Sequence, residues 1–147
     1  VEREDFLRKI ELFSGVSPRN LKAIAAMCSE RSFKRGDYLV RQGDEGVGMF
    51  IIVSGRVKVV KETQAGESFD IASHGPGEFI GEMSVLDGAP RSASVAAQED
   101  TTCLVLVSWD FRAFLKSHPA VALEILPVVV RRFRETNERL VNLSRIQ

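Results

Sequence analysis

The chain has 147 residues, with 20 basic and 20 acidic side chains and only two histidines. That length suits one domain with a real core rather than two, and a net charge of zero gives no electrostatic case for a nucleic-acid or membrane surface. Cys28 and Cys103 stand far apart in apolar surroundings, which predicts buried free thiols and not a disulfide framework. The charged N-terminus lacks an apolar leader segment and no run is long enough to span a bilayer, so the cytoplasm is the default location.

In chain order, Glu2 to Leu12 sets charges against Phe6, Leu7 and Ile10, an amphipathic helical pattern. Ser17-Pro18 reads as an N-cap followed by proline at the first helical position, opening a second helix with Leu21, Ile24, Ala25 and Cys28 as its stripe. Residues 1–30 are thus expected to be helical, and residues 31–108 to be a β-roll. Within the roll, Phe33, Tyr38 to Val40, Met49 to Val53, Arg56 to Val60, Ser68 to Ala72, Ala93 to Ala97 and Thr102 to Val107 are candidate strands. Gly36-Asp37, Gly43-Asp44, Ser54-Gly55, Ala65-Gly66 and Gly75-Pro76-Gly77 punctuate them. Many short strands at close spacing predict a barrel or jelly roll. Residues 109–147 return to helix: Asp110 to Ser117 is short, Pro119 opens the next, and Pro127 should kink or restart it. The expected fold is α+β, a single domain over 1–147: a β jelly-roll barrel with N-terminal helices, a short helix inserted in the roll and a long C-terminal helix.

The stretch from Gly81 to Val95 is the most informative. Gly81 permits a positive φ or a close approach, and Glu82 to Leu86, including Met83, is long enough for one helical turn, whose leading N–H groups suit phosphate oxygens. A carboxylate at Glu82 would repel a phosphate and is better matched to a sugar hydroxyl. Asp87-Gly88-Ala89-Pro90 is a turn that stiffens the approach to Arg91, a planar fork of donors for two phosphate oxygens. Ser92 adds a hydroxyl, Ala93 keeps the wall small, and a strand follows. Val59, Ile71 and Leu86, with Ala72 as a small neighbour, are candidates for the wall around a base, although any single one reads more readily as plain core.

Read as G-E-x-x-x-L-x-x-x-x-R-S-A, this stretch resembles the phosphate-binding cassette of the cyclic nucleotide-binding domain family. The resemblance extends over nearly the whole chain, with family-like glycines at Gly36, Gly43, Gly55 and Gly77. It implies that Glu82 binds the ribose 2′-hydroxyl and Arg91 the cyclic phosphate. The interval between them is that of the kinase and channel members, one residue shorter than in the cAMP receptor protein. The ligand implied is cAMP, with cGMP as the alternative, because a hydroxyl at Ser92 is found with both.

Beyond Pro127, Leu126, Phe133 and Leu140 recur every seven residues, and Val129, Thr136 and Leu143 form a second row. Such an a/d seam points to a homodimer through the C-terminal helix; a lone helix packing its stripe back on the barrel is the other reading. Thr136, the polar member of the row, sets register in the first case; in another reading Thr136 and Asn137 hydrogen-bond the base. The segment is similar to the helix of the cAMP receptor protein that contacts adenine, with Asn137 in place of a serine.

Rival functions fare worse. A cupin-type enzyme needs clustered histidines, whereas His74 reads as a turn residue and His118 as a helix boundary; no catalytic triad or Cys–His pair is visible. No enzyme activity, metal or cofactor is therefore expected. Two cysteines are too few for a cluster-binding sensor. No nucleic-acid-binding element is expected in this chain. A sensor domain, free-standing or belonging to a larger transcription regulator or channel, is the reading adopted, with an empty-pocket scaffold as the alternative; the output partner is unknown.

Overall fold

The computed structural model describes residues 2–146, without the side chains of Glu2, Met83 and Ile146. Helix α1 covers Glu2–Arg8, and a 3₁₀ turn follows at Glu11–Phe13. The expected helix to Leu12 is therefore broken. Leu7, Ile10, Leu12 and Phe13 are all buried, and no single helical face holds all four; bonds from Lys9 N to Phe6 O and from Ile10 N to Leu7 O tighten the chain and turn both pairs inward. Helix α2 is Pro18–Met27, with Ser17 at the N-cap in extended conformation.

Eight strands follow: β1 Ser29–Phe33, β2 Tyr38–Val40, β3 Gly48–Ser54, β4 Val57–Glu62, β5 Ser68–His74, β6 Phe79–Ile80, β7 Ser94–Ala97 and β8 Thr101–Val107. Helix α3, Glu82–Asp87, interrupts them, and α4 (Ser108–Ser117) and α5 (Pro119–Ile146) complete the chain. The strands form two four-stranded sheets, ordered β1-β8-β3-β6 and β2-β7-β4-β5, with antiparallel pairing throughout.

The first sheet is buried on both faces. Met49, Ile51, Leu104, Leu106 and Phe79 pack on the helices, while Phe50, Ile52, Cys103, Val105 and Ile80 face Val57, Val95 and Ala97 of the second sheet. This is why β3 and β8 read as continuous apolar runs rather than alternating ones. The helical layer is closed by Leu21, Ile24, Phe111, Val121, Ile125 and Val128, with Phe13 and Phe111 meeting edge to face at 6.4 Å.

Helix α5 turns 116° from α4. It runs through Pro127 without the expected restart; Leu123, whose carbonyl the proline cannot serve, is solvent-exposed, so water can take that carbonyl. Val121, Ile125 and Val128 anchor its first third in the core, and Val129 packs beside them. Of the expected second row, Val129 thus packs on the core, while Thr136 and Leu143 are exposed. Leu126, Val130, Phe133, Leu140 and Leu143 are exposed apolar side chains along the helix. Among the described residues, no single helix is long and apolar enough to cross a membrane.

Candidate functional site

A cavity of about 160 Å³ opens on the second sheet beside α3, and it draws its walls from β4, β6, the α3 segment and α5. Gly81 precedes α3 at φ +85°. A Cβ there would overlap Arg91 Nη1 and sit 2.9 Å from Gly48 O, so close approach requires glycine at this point. Gly88, at φ +73°, ends the helix, its N–H bonding Ser84 O at 2.9 Å, and Asp87 Oδ1 accepts from Ala89 N at 2.8 Å to form the turn. The chain then runs back along the β2–β3 connection, with Arg91 N donating to Asp44 O at 2.8 Å and Gly43 N to Arg91 O at 2.9 Å.

These bonds hold Arg91 at 5% exposure. Its Nη2 donates to Gly48 O, while Nε and Nη1 find no partner among the described residues. Burial lowers the guanidinium's pKa against the opposing pull of Glu82. A buried cation with unused donors is unfavourable unless an anion completes it. Glu82, largely buried, accepts from Arg132 Nη1 of α5 at 3.3 Å, and the Arg132 guanidinium lies 4.6 Å above the Phe79 ring. One carboxylate thus joins the cassette to the C-terminal helix.

Of the residues expected from sequence, Gly81, Glu82, Arg91, Ser92, Ala93 and Val59 line this one cavity. Ala89 and Pro90 are exposed and shape the turn without reaching the cavity. Leu86 is exposed and does not line the cavity. Ile71 is 57% exposed, because the bulge that pairs Val59 with Ala72 and Val60 with Asp70 leaves it unpaired on an edge strand. Ala72 faces Val59 directly but lies exposed at the same edge. Thr136 donates its hydroxyl to Arg132 O at 3.0 Å and lines a separate polar hollow with Glu11, Glu135 and Arg139. Asn137 is exposed away from both. The Met83 side chain lies outside the described residues.

Three further polar side chains line the cavity that sequence reasoning passed over: Ser84, His74 and Arg132. For Arg132 a signal existed, since it lies four residues before Thr136 on the same helical face. His74 was readable as a turn residue only because its place at the end of β5, opposite Val57, depends on strand register.

A buried guanidinium with spare donors, a neighbouring carboxylate and an apolar wall are the chemistry of a binding site for a small anion that also carries hydroxyls. The family model described as Cyclic nucleotide-binding domain matches residues 30–118, and the chain belongs to that family. It is 35% identical over 133 residues to the Cyclic AMP receptor protein of Thermus thermophilus, covering 90% of this chain and 62% of that one. The crystal structure of the N-terminal domain of a transcriptional regulator from Streptomyces coelicolor A3(2) superposes with a TM-score of 0.79 at 34% identity, covering 92% of this chain and 94% of that one. The Thermus thermophilus Catabolite Activator Protein superposes with a TM-score of 0.78 at 35% identity, covering 91% and 63%. The chain therefore spans 62% of the length of that curated receptor protein.

Proposed function

We propose that this chain is a cAMP sensor in which Arg91 binds the cyclic phosphate, Glu82 the ribose 2′-hydroxyl, and ligand binding repositions α5. The observation that carries this reading is the buried Arg91 with two unpartnered nitrogens at the floor of the cavity. A cyclic phosphate supplies the charge and the acceptor oxygens that this guanidinium lacks. The ribose hydroxyl donates to Glu82, and because Glu82 also holds Arg132, binding is felt on α5. The likeness to a cAMP receptor protein supports cAMP as the ligand, and the likeness to the N-terminal domain of a transcriptional regulator supports a sensory segment that serves a larger regulator.

The exposed stripe on α5 supports a homodimer. Leu126, Val130, Phe133, Asn137 and Leu140 are spaced by four and three alternately, an a/d seam in which Asn137 occupies a position that sets register.

Calorimetric titration with cAMP and cGMP tests the reading. Arg91→Ala should weaken binding by roughly 2–5 kcal/mol, as removal of one member of a desolvated charge pair does. Absence of binding of either nucleotide to the wild-type chain would support a scaffold with an unused cavity.

A further inference from the structure

Among the cavity's polar side chains that the phosphate and ribose contacts do not use is a histidine. His74 ends β5 and its ring lines the cavity. Its Nδ1 lies 2.6 Å from Glu78 Oε2, and Glu78 Oε1 accepts from Gly75 N at 3.1 Å. Burial pushes the Glu78 carboxyl up, but the bonds from His74 and Gly75 outweigh it and hold the group below its ordinary value, so it stays ionised near neutrality. An ionised carboxylate only accepts, so the ring proton sits on Nδ1. In the neutral imidazole the other nitrogen is then a lone-pair acceptor. Nε2 makes no hydrogen bond among the described residues.

With the phosphate at Arg91 and the ribose at Glu82, the lining that remains to meet the base includes Val40, Val59, Val95 and His74. We infer that His74 is a base-selecting residue, its Nε2 accepting a hydrogen bond from the exocyclic amino group of adenine, with Glu78 as the positioning residue that fixes the ring. This rests on the cyclic-nucleotide reading above. At purine position 6, adenine offers a donor, whereas hypoxanthine and guanine offer a carbonyl acceptor. An acceptor set against an acceptor leaves both unpaired in a partly desolvated wall, which is how a polar site rejects the wrong group.

The test is calorimetry on the whole chain at pH 8, above the ordinary histidine range, with cAMP and with 3′,5′-cyclic IMP, in which a carbonyl replaces the 6-amino donor and N1 carries the proton. Wild type should prefer cAMP. His74→Leu, which keeps an apolar wall, should lose about three- to tenfold of that preference, the worth of one hydrogen bond. Glu78→Gln, whose amide can donate to Nδ1 and so release the tautomer, should shrink the preference while leaving Arg91 intact. His74→Gln, whose amide oxygen can accept, should retain part of it. If His74→Leu does not fold, Glu78→Gln carries the same test. A cAMP to cyclic IMP affinity ratio that stays at the wild-type value in both His74→Leu and Glu78→Gln overturns the inference and leaves the sensor reading standing. A wild-type chain that binds neither nucleotide overturns both.

Discussion

Arg91→Met should make the ligand-free protein more stable and remove its response to ligand. In the wild type the guanidinium is 5% exposed and leaves Nε and Nη1 without partners among the described residues. Each buried unsatisfied donor costs about 1–3 kcal/mol, against which the one charge-assisted bond to Gly48 O returns about 1.5–3 kcal/mol. Methionine fills a similar volume without polar atoms, and exchanges of this kind are neutral or stabilising by about 1–4 kcal/mol. Glu82 is not stranded by the change, because Arg132 remains on its other side. An expected gain of about 1–3 kcal/mol corresponds to a rise of roughly 2–10 °C in Tm for a domain of this size. Scanning calorimetry with and without cAMP reads both halves. At a hundredfold excess over Kd the wild type gains about 2.7 kcal/mol, and the variant nothing. The stability order of the two proteins should therefore draw level or reverse when ligand is added. A ligand-free variant that melts well below the wild type would refute the reasoning, since it would mean that Arg91 is a satisfied structural group.

Gly81→Ala should lower both stability and affinity, because the new Cβ collides with Arg91 Nη1 and with the backbone Gly48 O at a φ of +85°; Gly36→Ala, at φ +92° with open space around it, carries only the backbone strain of about 1–2 kcal/mol and should leave affinity unchanged in the same titration. Cys28 and Cys103 are buried and both thiols are pushed up to about 11 by burial. Their raised values contribute stability that is whole below the ordinary thiol value of 9.0 and is lost as pH rises towards 11, so denaturant midpoints should fall over that alkaline window, and iodoacetamide at pH 8 should label both cysteines in the unfolded chain far faster than in the native one. Phe133 is 65% exposed, so Phe133→Glu should leave Tm within about 1–2 °C and turn a dimer into a monomer in sedimentation analysis; an unchanged sedimentation coefficient would remove the α5 seam from the proposal.

The parts of the fold legible in the sequence are those whose signal is local. Strand β3 and strand β8 announced themselves as apolar runs, and the cassette was legible because Gly81, Glu82 and Arg91 lie within one short stretch. What escaped is set by register and by distant packing. Strand β6 is only Phe79–Ile80 and exists through its pairing with Phe50 and Ile51. Ile71 looked like a wall residue until the bulge in β5 left it unpaired at the sheet edge. The sequence does not separate two stripes on α5, because the a/d period holds with either Val129 or Val130 in it; the contact of Val129 with the helical core turns that one residue inward.

The weakness of the joint between the cavity and α5 is itself informative. The Arg132–Glu82 pair spans 3.3 Å and is partly exposed, so it holds the helix by no more than about 1 kcal/mol. After Val129, no side chain of α5 among the described residues belongs to either buried cluster, so its outer part can move at little expense in core packing. A ligand shifts such an element only by the difference in its affinity for the two positions. The Glu82 carboxylate has about four acceptor sites, enough for a ribose hydroxyl and Arg132 together, so the bound nucleotide need not expel the arginine. On the proposed reading the ligand therefore strengthens the hold on α5, by setting its own anionic phosphate near the Arg132 cation, and the signal is a tightening of this helix against the roll. A helix already locked by strong contacts would leave the ligand nothing to change.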